Sequence, residues 1–98
     1  MLVKIHKSYR DAVAVCDKEI LGRRFEQGNK QLDVKESFFL GDEIEENSLV
    51  DLMKDLAKED VTFNIVGSKS VKAALKAGII NNEGVKRIQG IPFALVLL

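Results

Sequence analysis

The stretch VTFNIVGSKSVKAALKAG, Val61–Gly78, decides the fold. Val61, Phe63 and Ile65 alternate with Thr62 and Asn64, the two-residue period of a strand with one buried face. Val66 breaks the alternation and Gly67 follows, a residue free to take the backbone angles of a sharp strand exit. Ser68 and Ser70 each carry a hydroxyl that can cap the first turn of a helix. Val71, Ala74 and Leu75 then fall at helical spacing as an apolar stripe, while Lys69, Lys72 and Lys76 point the other way. Gly78 stands where such a helix stops. A further apolar segment, Val85–Ile88, lies just downstream. Strand, helix, strand with short links reads as a right-handed βαβ crossover.

Outward from this unit, the chain reads as one domain over residues 1–98. It is 46% hydrophobic and 31% charged, a globular composition with one modest core. The single cysteine, Cys16, has no internal partner and follows Val13, Ala14 and Val15. It therefore reads as a small core residue in a reducing, cytoplasmic setting. No run approaches the ~18 apolar residues of a membrane span. The opening MLVKIHK alternates like a strand, unlike a signal peptide.

Leu2–Tyr9 is expected to be a strand with Val3, Ile5 and Tyr9 on its buried face, and Ala12–Cys16 its antiparallel partner. Asp17 can cap a tight bend over Asp17–Gly22. His6 is the sole histidine and lies on the polar face. Gly28-Asn29 is a turn signal before a third strand, Lys30–Lys35. Phe38–Leu40 reads as a core-filling loop or short strand. The acidic run Asp42–Glu46 lacks the spacing of a calcium loop and reads as a solvated approach to a helix. Asn47 or Ser48 is expected to cap that helix, Leu49–Lys58, with Leu49, Leu52, Met53 and Leu56 as its stripe. Asn81–Gly84 is a turn and Val85–Gln89 a strand. Pro92 confines the next strand to starting there or lying at an edge. Phe93–Leu98 is apolar throughout, which predicts an interior strand covered on both faces. The expected class is mixed α/β: a sheet of about five to six strands, two helices, an N-terminal antiparallel hairpin and a C-terminal βαβ unit.

Several of these runs carry a resemblance. NIVGSKS (Asn64–Ser70), the A-x-x-x-G-I-I step at Ala74–Ile80, VKRIQGIPFA (Val85–Ala94) and DKEILGRRFEQG (Asp17–Gly28) are similar to an archaeal family named Domain of Unknown Function 424. The resemblance covers nearly the whole chain. It implies a small cytosolic archaeal α/β protein without an assigned activity, for which an association with RNA or translation is an expectation.

The residues themselves offer no Ser/His/Asp set, Cys/His pair or histidine cluster, so neither an enzyme nor a metal or cofactor is expected. GSKS at Gly67–Ser70 departs from the P-loop, which needs Gly, four residues, then Gly-Lys-Ser/Thr. What it retains is a helix start with free amides, two hydroxyls and a cation, a corner suited to phosphate. Net charge is zero, yet residues 1–41 carry +2, residues 42–60 carry −6 and residues 61–98 carry +4. Lys69, Lys72 and Lys76, joined by Lys86 and Arg87, would make a phosphate-contacting face if they share one surface; the alternative is a solvated helix face, or pairing with the acidic 42–60 segment of the same or another copy. Arg23 and Arg24 beside Phe25 can grip a phosphate and stack a base, or flank a core ring by snorkelling. Gly67, Ser68, Lys69, Ser70, Lys72, Lys76, Lys86, Arg87, Arg23 and Arg24 are thus the candidate RNA- or phosphate-binding residues. The alternative is a non-enzymatic interaction module, pairing as a homodimer or with another cytosolic protein through an exposed strand edge.

Overall fold

The N-terminal hairpin forms where the alternation places it. In the computed structural model, which describes residues 1–98, β1 (Leu2–His6) pairs antiparallel with β2 (Asp11–Cys16). Strand β1 ends at His6, so Tyr9 does not reach the buried face expected of it; it lies in the turn and is fully exposed. Strand β6 (Val61–Val66), helix α3 (Ser68–Ala77), β7 (Lys86–Ile88) and β8 (Ile91–Leu97) follow the reading of the decisive stretch. Gly78 adopts φ 76° and closes α3, the left-handed stop expected there.

The crossover is more elaborate than a plain βαβ. Strand β8 pairs antiparallel with both β6 and β7, so β6 and β7 run parallel with β8 inserted between them. Strand β2 pairs parallel with β6 on its other side. With β5 (Asp42–Glu43) on the outer edge of β1, one six-stranded mixed sheet runs β5-β1-β2-β6-β8-β7. The first two residues of the acidic run therefore form a short edge strand. Helix α2 (Glu46–Leu56) starts ahead of both serine and asparagine candidates, with Glu45 as its N-cap residue and no side-chain cap bond.

The expected third strand leaves the sheet. Strand β4 (Lys30–Asp33) pairs only with β3 (Arg24–Gln27), as a separate hairpin turned at Gly28-Asn29. Phe25 and Leu32 lie opposite one another in it and face the sheet. Phe38 and Phe39 belong to α1 (Glu36–Phe39), a single helical turn, which adds a third helix to the two expected.

Alternation divides the core between the two faces. Val13, Val15, Phe63 and Ile65 point to one side, where Leu49 and Met53 of α2 and Val71, Ala73 and Ala74 of α3 cover them. Phe63, Leu49 and Met53 are wholly buried. Burying a side chain of that size contributes about 1.5–3 kcal/mol. Leu2, Ala14, Cys16 and Val66 point to the other side, beneath Ile20, Phe25, Val34 and Phe39. That second cover is small, and it decides where the sheet stays open.

Candidate functional site

The corner at Gly67–Ser70 holds an anion, and the anion belongs to the chain itself. Strands β2 and β6 end in register, with Cys16 opposite Val66, so Asp17 emerges beside Gly67. Asp17 N donates to the Val66 carbonyl at 3.1 Å, fixing the exit. The Asp17 carboxylate then accepts from Lys69 N at 3.1 Å, Ser70 N at 2.8 Å and Ser70 Oγ at 2.8 Å. Asp17 is buried and Ser70 completely so. Neither Ser68 nor Ser70 caps α3; Gly67 is the N-cap residue, and Asp17 supplies the acceptor from fifty residues upstream. A Cβ at Gly67 would sit 2.6 Å from Asp17 Oδ1, and its φ of 111° is one that side chains avoid. Glycine is thus required by both the turn and the carboxylate. Asp17 makes no side-chain cap bond to its own bend, the role expected of it.

The lysine stripe is met by carboxylates. Lys69 Nζ lies 3.1 Å from Glu19 Oε1, and Lys76 Nζ lies 2.6 Å from Glu46 Oε2. The hydrogen bond from Lys69 holds Glu19 below the usual carboxylate range, and the bond to Glu19 raises Lys69. Glu46 is lowered in the same way, by its bond to Lys76 first and by the charge of Lys72 more weakly. These pairs are exposed, where such contacts are screened and contribute little to stability. They place acids on the lysine face, and Lys76–Glu46 is the pairing with the 42–60 segment that stood as the alternative to a phosphate-contacting face.

Lys86 does not share a surface with the lysines of α3. Lys86 sits opposite Phe93, which packs with the cluster beneath the β3–β4 hairpin, whereas α3 packs on the other face of the sheet. Arg87, its neighbour on β7, leaves the sheet on the opposite side, the one that α3 covers. Arg23 stacks its guanidinium 5.1 Å from the centre of the Phe25 ring, and Phe25 is buried in the core. Arg24 is engaged by Glu26 at 3.2 Å and Gln31 at 2.7 Å. The Asp17 corner with the lysine stripe, the hairpin with Arg23 and Arg24, and Lys86 are therefore separate places, while Arg87 lies on the α3 side of the sheet.

The unexpected feature is an open corner of the sheet. On the face away from α2 and α3, the rows read Leu2–Cys16–Val66–Phe93–Lys86, then Lys4–Ala14–Asn64–Leu95, then His6–Ala12–Thr62–Leu97. The hairpin covers the first row. Helix α1 covers the β1–β2 side of the others, held by His6, whose Nε2 donates to the Phe38 carbonyl at 2.8 Å and whose ring stacks on Phe38 at 4.5 Å. Nothing covers the β6–β8 side. Leu95 and Leu97 are 63% and 70% exposed although β8 is an interior strand. The expectation of cover on both faces holds for Ala94 and fails for these two leucines, because the small lid stops short of them.

Between the lid and this corner runs a groove of about 340 Å³. Leu32, Phe38, Phe93 and Leu95 make it apolar, while Asp33 and Asn64 bring its polar groups. The Asn64 amide makes no hydrogen bond and Asp33 no ion pair within the chain. No cluster of His, Cys, Asp and Glu that could hold a metal occurs. Cys16 is buried beneath the lid, and desolvation, aided by neighbouring Asp17, pushes its thiol up to about 11, which disarms it as a nucleophile. The corner was hidden from sequence reading because a run apolar at every position, FALVLL, looks the same whether one face or both are covered. No helix is long and apolar enough to cross a membrane.

Comparison with known proteins agrees with this architecture. A search of curated proteins returns no match. The crystal structure of an uncharacterized conserved protein from Methanopyrus kandleri is similar in fold, with a TM-score of 0.86 at 20% identity over 98% of this chain and 90% of that one. The model of a family described as "Protein of unknown function (DUF424)" matches residues 6–98. The resemblance expected from NIVGSKS and VKRIQGIPFA thus extends along almost the full length, and the chain belongs to that family.

Proposed function

We propose that this protein is a non-catalytic association module that binds a second copy of itself through the open corner of its sheet. The observation that carries the reading is the exposure of Leu95 and Leu97 on a strand with neighbours on both sides. Apolar side chains grouped on one patch and rimmed by polar residues mark surfaces that other molecules cover. Burying them recovers roughly 25 cal/mol per Å² of apolar area. The association surface in this reading is the face of the sheet, in place of the exposed strand edge that the sequence suggested.

RNA or another phosphate-bearing partner is the competing reading. It loses its motivating features here: the amides of Lys69 and Ser70 are taken by Asp17, and two of the three lysines pair with glutamates. Equilibrium sedimentation separates the two. Self-association at micromolar concentration that Leu95→Lys/Leu97→Lys abolishes, with unchanged far-ultraviolet dichroism, is the expected result. A chain that stays monomeric and binds RNA with a steep salt dependence, lost in Lys69/Lys72/Lys76→Glu, would replace this proposal with the nucleic-acid one.

A further inference from the structure

We infer that the groove beside Leu95 receives Tyr9 of the second copy, so that each protomer inserts its Tyr9 into the other. The inference rests on the association reading above and names its anchor. Tyr9 is the most exposed large apolar side chain of the molecule, at 109% of its reference area. It stands in a turn closed by three local contacts: Ser8 N donates to Asp11 Oδ1 at 3.2 Å, Ser8 Oγ to the Arg10 carbonyl at 2.6 Å, and Lys7 pairs with Asp11 at 3.0 Å. A preorganised loop presenting one aromatic ring loses little freedom on docking, which is how tyrosine anchors bind well.

The groove has the complementary chemistry. Its walls, Leu32, Phe38 and Phe93, suit a ring. The unpaired Asn64 amide on its floor offers both a donor and an acceptor for the phenol hydroxyl. Arg10, next to Tyr9 and without an ion pair in the chain, finds an unpaired carboxylate at Asp33 on the groove rim. Charges of opposite sign thus flank the aromatic and its receptor.

The placement also permits a closed pair. Asp11 lies opposite Val61, so the Tyr9 turn leaves the sheet beyond the row that holds Thr62 and Leu97. The groove begins at the neighbouring row, at Asn64 and Leu95, and runs the other way. When two open faces stack, a two-fold axis lying between them, midway from turn to groove, carries each Tyr9 onto the other groove. Leu97 then falls near that axis, where the two copies meet. Such an isologous contact closes at two copies.

The test is equilibrium sedimentation of the full chain, the Tyr9→Ala and Tyr9→Phe variants, and Leu95→Arg, which blocks the groove. Tyr9 is fully exposed in its own chain, so its loss leaves the fold intact. Wild type is expected to dimerise. Tyr9→Ala should weaken the dimer at least about 30-fold, the size of a hot-spot loss, and Tyr9→Phe by less than tenfold. Mixing Tyr9→Ala with Leu95→Arg restores one intact insertion, so the mixture should associate more tightly than either variant alone. A wild-type dimer unaffected by Tyr9→Ala, or a mixture no tighter than its parts, overturns the insertion and leaves the association reading standing. A wild type that stays monomeric at every concentration overturns both.

Discussion

Asp17→Ala removes the acceptor of three donors at the start of α3, and its cost can be worked from their surroundings. Lys69 N belongs to an exposed residue and can turn to water, so its loss is small. Ser70 is wholly buried, and its amide and hydroxyl are left facing a cavity. A buried donor without a partner costs about 1–3 kcal/mol, although the hydroxyl can rotate toward another acceptor. Loss of an N-terminal cap alone is worth about 1 kcal/mol. Together these give about 3 kcal/mol for Asp17→Ala. Asp17→Asn keeps one carbonyl oxygen for Ser70 while turning an NH2 group toward other donors, so roughly half that loss is expected. For a domain of this size 3 kcal/mol corresponds to a Tm lower by roughly 12–24 °C. Urea unfolding followed by circular dichroism measures it, with the slope m unchanged and the midpoint shifted. A loss under 1 kcal/mol for Asp17→Ala, or a larger loss for Asp17→Asn than for Asp17→Ala, would refute the assignment of Asp17 as the cap of α3.

Other outcomes follow from the same contacts. Gly67→Ala should destabilise by several times as much as Gly78→Ala; both glycines have positive φ, but only at Gly67 does the new Cβ meet a carboxylate. Thermal melts of the two variants give the comparison, and similar losses would contradict it. Cys16 should resist thiol reagents in the native protein and react once urea unfolds it, because burial keeps the thiolate scarce. Glu19 and Glu46 have folded values below their ordinary 4.5, so their contribution is present above that pH and is lost as pH falls through the lowered values. Urea midpoints from pH 7 to pH 3 should therefore fall less steeply in Glu19→Gln/Glu46→Gln than in wild type. Phe63→Ala, which empties a wholly buried site, should lose about 3–5 kcal/mol by the same urea assay.

Local patterns made much of this fold readable. The alternation of Val61, Phe63 and Ile65, the stripe of Val71, Ala74 and Leu75, and the stop at Gly78 each depend on neighbours within one element. What stayed hidden depends on pairings between distant residues. Asp17 caps a helix that starts at Ser68, and only the parallel register of β2 with β6 brings the two together. An aspartate directly after one apolar strand and a glycine directly after another is the signal that could have found it. Likewise β4 looks like any strand whose alternate residues are apolar, and whether it joins the sheet or lies over it depends on Phe25 and Leu32 packing onto the sheet face. The candidate site suffered most. The helical spacing leaves open whether the lysines are free or paired, and the partner of Lys69 stays hidden because Glu19 is remote in sequence; the open corner is set by how far a two-stranded lid extends.

Methyl nuclear magnetic resonance of the leucines tests the association face most directly. As concentration rises from about 10 μM to 1 mM, the Leu95 and Leu97 signals should shift or broaden, with the Tyr9 ring following them. The buried Leu49 should stay fixed. Spectra identical at both concentrations, or changes confined to the lysine face of α3, would contradict the account.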